Sequence, residues 1–240
     1  MTLQLPCGHE YCKSCVEEHR NKGSDKSCPL CRKPLPPRAD KLYDLGFGMY
    51  KKIEAINENR PGTEENRNEK TSWQAMSNPK QRREMKEALT MLREAADQGH
   101  IEGQKHLAAV YHYSLGVTKD DRLAFVYGKK AAQQGDALWQ GATGARFRDG
   151  SGCKQSHERA AKWFAKAALQ GSKNAENDLG RCYYNGWGVP QSYEKAVDLF
   201  TKSAAKHHYQ AECNLGGCYE HGHGVQKNYR EAQRLYNLGL

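Results

Sequence analysis

No stretch of this 240-residue chain approaches the roughly 18 to 20 consecutive apolar residues of a membrane span, so a transmembrane helix is not expected. The first residues, MTLQLPCGHEYC, lack a basic region followed by an apolar run and do not read as a secretory signal. An intracellular, cytoplasmic setting is therefore expected. P-loop, Rossmann and nucleophile-elbow patterns are all missing, and no nucleophile–base pair suggests a hydrolase. A dense basic stripe is missing too, although the net charge is +9. Residues 1–40 hold 7 Lys/Arg against 5 Asp/Glu, residues 41–86 hold 10 against 7, and residues 87–240 hold 20 against 16. An excess spread this thinly does not point to specific nucleic-acid binding. Residues 59–72, NRPGTEENRNEKTS, have no aliphatic or aromatic side chain and are expected to form a flexible linker.

What is present divides into a cysteine-rich beginning and a long periodic remainder. Apolar residues make up 38% of the chain, enough for a packed core. The Gln-Gly pairs end at Gly99, Gly135 and Gly171, a period of 36 residues, and His207 takes the next position. Small residues precede them in phase: Ala95-Ala96, Ala131-Ala132, Ala167-Ala168 and Ser203-Ala204. A second column runs Ala88, Ala124, Ala160, Ala196, Ala232, and an aromatic column runs Tyr111, Phe147, Tyr183, Tyr219. Two glycine columns follow, Gly150, Gly186, Gly222 and Gly116, Gly152, Gly188, Gly224, with Ser114 in place of the first member of the former.

Each unit reads as two helices. Ala175, Leu179, Cys182 and Tyr183 share one face of the first, and glycines able to take left-handed backbone angles end it. The second opens at Asp120, Ser156, Ser192 or Asn228, residues whose side-chain oxygens accept from free N–H groups at a helix start. One pair has too little apolar face to stand alone, so the units must stack. A helix is also expected from about Asp40 to Asn57, weakened by Gly46 and Gly48, and another from Pro79 to about Asp97, capped by Asn78. The latter reads as an orphan helix ahead of four pairs.

The string LG-x-C-Y-Y-x-G-x-G-V-x-Q-S-Y-x-K-A-x-x-L-F-x-K-S-A-A resembles the Sel-1-like repeat family, related to tetratricopeptide repeats but with a longer unit and a glycine-rich loop. The resemblance implies an all-α superhelical solenoid over residues 79–240. It also implies a protein–protein interaction scaffold, without indicating which face binds.

The cysteine-rich segment spaces its residues as Cys7-x-His9-x2-Cys12-x2-Cys15-x12-Cys28-x2-Cys31. Thiolates and imidazole in close pairs suit tetrahedral zinc, and the absence of a secretory signal favours metal over disulfides. The string PCGHEYCKSC…CPLC resembles the second half of a RING finger, giving a partial RING-type segment over residues 1–36, and the helical spacing read above makes 40–58 a connecting helix. That resemblance implies one complete zinc site from Cys7, His9, Cys28 and Cys31, with Cys12 and Cys15 as half of a second. The upstream Cys-x2-Cys pair that would complete the second is not in this sequence. An alternative pairing of Cys12 and Cys15 with Cys28 and Cys31 gives a single all-thiolate site. In the RING family the segment binds a ubiquitin-conjugating enzyme, and the matching contact positions here are Pro29, Leu30 and Arg32, the arginine facing both enzyme and ubiquitin. Two functions fit this pattern: a RING-type ubiquitin-protein ligase whose repeats recruit substrate, or a non-enzymatic adaptor whose zinc finger is only structural.

Elsewhere, Cys182 and Cys218 share a repeat column and read as small hydrophobes between helices. His207, His208, His221 and His223 read as surface or loop residues, and Trp187, between two loop glycines, as partly exposed.

Overall fold

The computed structural model describes residues 2–4, 10–12, 38–58, 78–115 and 117–237. Two short strands, β1 (Thr2–Gln4) and β2 (Glu10–Cys12), pair antiparallel with Thr2 opposite Cys12 and Gln4 opposite Glu10. The helices follow: α1 (Ala39–Glu58), α2 (Pro79–Asp97), α3 (Ile101–Tyr113), α4 (Asp121–Gln133) and α5 (Ala137–Asp149). The series continues through α6 (His157–Leu169), α7 (Lys173–Asn185), α8 (Tyr193–Ala204), α9 (Tyr209–His221) and α10 (Tyr229–Asn237). Contacts run between neighbours in sequence throughout, so the helices form successive antiparallel pairs in one α/α solenoid. Among the described residues no helix is long and apolar enough to cross a membrane.

The repeat columns become the inner surface of the stack. Ala88, Ala124, Ala160, Ala196 and Ala232 are all buried, as are Ala95, Ala96, Ala131, Ala132, Ala167 and Ser203. Small side chains there let helix axes approach closely. Tyr111 and Phe147 of the aromatic column are buried, while Tyr183 and Tyr219 are half-buried against the same clusters.

Each second helix is capped as its sequence requires. Leu123 N–H donates to Asp120 at 2.9 Å, Arg159 to Ser156 at 3.3 Å, Lys195 to Ser192 at 3.3 Å and Glu231 to Asn228 at 3.1 Å. The first helices have a cap column of their own, hidden in sequence by its mixed chemistry: His100, Asp136, Ser172 and His208 accept from Gly103, Trp139, Ala175 and Ala211. His208 is thus a helix cap. His207 takes a left-handed φ of 54°, and Ser114 a φ of 58°, at positions where the other copies carry glycine.

The second loop glycine is required by contact as well as by angle. At Gly152, Gly188 and Gly224 an added Cβ would run into the backbone of Asp121, His157 and Tyr193, each the first residue of the preceding pair's second helix. Backbone therefore meets backbone at each of these junctions, and the left-handed φ of about 70° there suits glycine alone.

A further column pairs glycine with a ring. A Cβ on Gly144, Gly180 or Gly216 would stand 2.7, 2.6 or 2.8 Å from the ring of Phe164, Phe200 or Tyr236. The earliest copy solves this differently. It carries Ala108 and Gly128 at the two positions, and Trp139 from α5 fills the space, its ring 2.8 Å from where a Gly128 Cβ would lie.

Two expectations are corrected. The Pro79–Asp97 helix is no orphan, because α1 packs along it. Nor do Gly46 and Gly48 interrupt the helix, which runs unbroken from Ala39 to Glu58: Gly46 is the contact point, where a Cβ would stand 2.9 Å from the Ala88 carbonyl oxygen and 3.2 Å from the Leu92 side chain. Leu42, Tyr50 and Ile53 of α1 are buried with Met85 and Leu92 of α2. The connecting helix is therefore the first half of a fifth helix pair.

Candidate functional site

A regular polar ladder ties three consecutive helix pairs, α3–α4, α5–α6 and α7–α8, each to the turn before it. The Gln134 side-chain amide donates to the Gly99 carbonyl at 3.0 Å and to Gln104 Oε1 at 2.8 Å. One repeat on, Gln170 donates to the Gly135 carbonyl at 2.9 Å and to Gln140 at 2.8 Å. In the third rung both partners change together. The Lys206 ammonium donates to the Gly171 carbonyl at 2.9 Å and pairs with the buried carboxylate of Glu176. A buried carboxylate without that cation would carry a large desolvation cost, so the two substitutions compensate one another. The next acid in this register is Glu212, also buried.

The first helices of consecutive pairs also touch one another. Arg148 Nη1 lies 3.1 Å from Asp178 Oδ1, and Asn214 donates to Asn177 at 2.8 Å. Burial raises the Asp178 carboxyl above its ordinary value, with Arg148 and Arg181 pulling the other way. Loop side chains stack on the preceding pair: Trp187 lies over His157 at 5.8 Å, and His223 over Tyr193 at 4.5 Å. His223 Nδ1 also lies 2.8 Å from the Tyr184 hydroxyl. Trp187 is half-buried, so it is in part a clamp between repeats.

None of these groups has the arrangement of a reactive centre. Cys182 and Cys218 are buried and pushed up to about 11 by desolvation, so both stay protonated thiols at neutral pH. Among the described residues, no group of three or more His, Cys, Asp or Glu side chains converges as metal ligands. The large exposed hydrophobics, including Tyr113, Leu138, Leu169, Tyr209 and Tyr229, sit on different helices. Stacked repeats of this kind present an extended surface to protein partners.

Of the cysteine-rich segment, the structure describes only the two strands. The pairing of Gln4 with Glu10 brackets residues 5–9, which carry Cys7 and His9, and Cys12 closes β2. Cys7, His9, Cys15, Cys28 and Cys31 lie outside the described residues, as do Pro29, Leu30, Arg32 and the segment 59–72. The donor set itself, thiolates with one imidazole, has the softness and ligand number that zinc prefers over hard cations.

Comparison with known proteins agrees with this division. The Sel1 repeat model matches residues 81–100, 101–136, 142–172, 173–208 and 210–239. The model for the C3HC4-type RING zinc finger matches residues 1–31, which implies zinc binding there. Over 37 residues the chain is 43% identical to the E3 ubiquitin-protein ligase TRIM65 of Mus musculus, covering 15% of this chain and 7% of that protein. The fold is similar to that of a protective antigen of uropathogenic Escherichia coli displaying an SLR fold. There the TM-score is 0.64 at 23% identity, over 94% of this chain and 40% of the other. A Sel1 repeat protein from Oxalobacter formigenes gives a TM-score of 0.55 at 23% identity, over 84% of this chain and 70% of that one. With repeats matched over more than half of its length and the same solenoid in its structure, the chain belongs to the Sel1 repeat family.

Proposed function

We propose that the chain is a protein-binding scaffold built onto a RING-type zinc module, and that it works as a ubiquitin-protein ligase whose repeats recruit the protein to be modified. The observation that carries this reading is the RING-type match over residues 1–31 in the same chain as a Sel1 array. The likeness of a short segment to a named ubiquitin ligase adds to it.

In this reading Cys7, His9, Cys28 and Cys31 hold one zinc ion, with Cys12 and Cys15 contributing to a second. The ion is structural and ties loops together. Pro29 and Leu30 meet the ubiquitin-conjugating enzyme, and Arg32 hydrogen-bonds both that enzyme and ubiquitin through its planar fork. No side chain of this protein attacks. A lysine amine of the recruited protein adds to the thioester carbonyl carbon, the C–N bond forms, and the conjugating enzyme's thiolate leaves. The scaffold contributes by holding amine and thioester together, which raises their effective concentration.

The test is discharge of ubiquitin-loaded conjugating enzymes onto free lysine by the zinc-loaded chain. Acceleration lost in Arg32→Ala, with zinc content retained, supports the reading. A chain that binds zinc but accelerates discharge with no conjugating enzyme of a broad panel is an adaptor, and the ligase reading fails.

A further inference from the structure

We infer that the zinc module is carried on the first helix pair by a docked helix, with Tyr43, Phe47 and Tyr50 as its positioning residues, so that ubiquitin is delivered near that end of the array. The inference rests on the ligase reading for its chemistry and on the packing of α1 for its geometry.

The packing is extensive. Beyond the close approach of Gly46 to α2, α1 places three rings against α3. Tyr43 stacks on His100 with centroids 4.4 Å apart and on Phe47 at 5.4 Å. His106 meets Phe47 edge-on at 4.5 Å and Tyr50 at 5.5 Å. Asp40 Oδ1 lies 3.4 Å from His100 Nε2. Aromatic pairs of this kind contribute beyond their buried area, and this helix buries Leu42 and Ile53 as well.

Connectivity supplies the consequence. Residues 32–38 join the module to α1, and fully extended they reach only about 25 Å. The segment 59–72, which by composition looks like the joint between module and array, instead runs between α1 and α2, two helices of one packed pair. Lengthening it would not free the module. Successive first helices, 8–10 Å apart at ordinary packing distance, put α9 roughly 30 Å beyond α3. Lysines along the array therefore differ in their access to the module.

Self-modification of the full chain under dilute, intramolecular conditions reads this directly. Exposed Lys41, Lys52 and Lys86 should carry most of the ubiquitin, and Lys195, Lys202 and Lys227 roughly tenfold less. Inserting ten Gly/Ser residues after Asn66 should leave that pattern unchanged, whereas the same insertion after Arg38 should spread it along the array. Phe47→Ser with Tyr43→Ser should also spread it while leaving zinc content intact. A pattern that spreads with the insertion after Asn66 overturns the inference. An arm independent of ubiquitin is amide exchange. If the inference holds, α1 is protected to within about tenfold of α2, and the paired serine substitutions abolish that protection. Unprotected α1 amides overturn it even if ubiquitin transfers. Absence of transfer with a protected α1 overturns the ligase reading and the delivery inferred from it, and leaves the docking.

Discussion

The first helix pair and the four behind it reach the same close packing by different means. In the last three pairs, α5–α6, α7–α8 and α9–α10, the two helices are joined by a short loop whose second glycine lies against the backbone of the previous pair, and a glycine–ring contact locks each pair internally. The α1–α2 pair has no pair before it among the described residues. It relies on Gly46 against Leu92 and on a cluster of rings around His100 and His106. The general requirement is a small residue where two helices cross, and the sequence around it is free to vary.

Substitutions at glycine separate the two regimes most sharply. Gly188→Ala forces a side chain into the backbone of His157 at a φ of 70°. Left-handed strain and overpacking together should cost about 3 kcal/mol, measured by urea unfolding. The ladder gives a smaller effect. Lys206→Met should cost about 1–2 kcal/mol, because Glu176 is left buried without its cation. Replacing both residues by glutamine should recover most of that loss, since it recreates the rung that Gln140 and Gln170 form. Gly48→Ala in α1 should go the other way. A Cβ there meets nothing within 4 Å, so relief of helix-interior glycine should stabilise the chain by about 0.5–1 kcal/mol.

The smallest effect is in pH. Burial and Lys51 hold His106 below its ordinary value of 6.5, with Glu54 of α1 and Glu102 of α3 opposing. A folded-state value below the unfolded one means that the unfolded state binds more protons. The contribution to α1 docking is thus complete above about pH 6.5 and declines as pH falls below it. Amide exchange of α1 at pH 5.5 and 7.5, corrected for intrinsic rates, should show that loss, and His106→Phe should remove the pH dependence.

Much of the array was legible because its period is strict. Ala160, Ala196 and Ala232 recur every 36 residues and are buried together, and the Asp120, Ser156, Ser192 and Asn228 caps follow from residue type alone. The membership of α1 was hidden by spacing. Gly46 meets Leu92 across 46 residues, whereas Gly144, Gly180 and Gly216 meet their rings across 20, so no periodic search aligns them. The ladder was hidden by chemistry, since Gln–Gln and Glu–Lys look unrelated until their shared carbonyl acceptors are seen. The zinc ligands remain a matter of sequence spacing and family likeness, because β1 and β2 are the part of that segment whose backbone is described.

Residue-resolved amide exchange on the intact, zinc-loaded chain is the most direct test of a single stack running from α1 to α10. Protection should be greatest in the middle helices α4 to α8, decline helix by helix toward α10, and be as strong in α1 as in α2. Loss of protection across α1 while α2 stays protected, or pairs that exchange independently of their neighbours, would contradict the account.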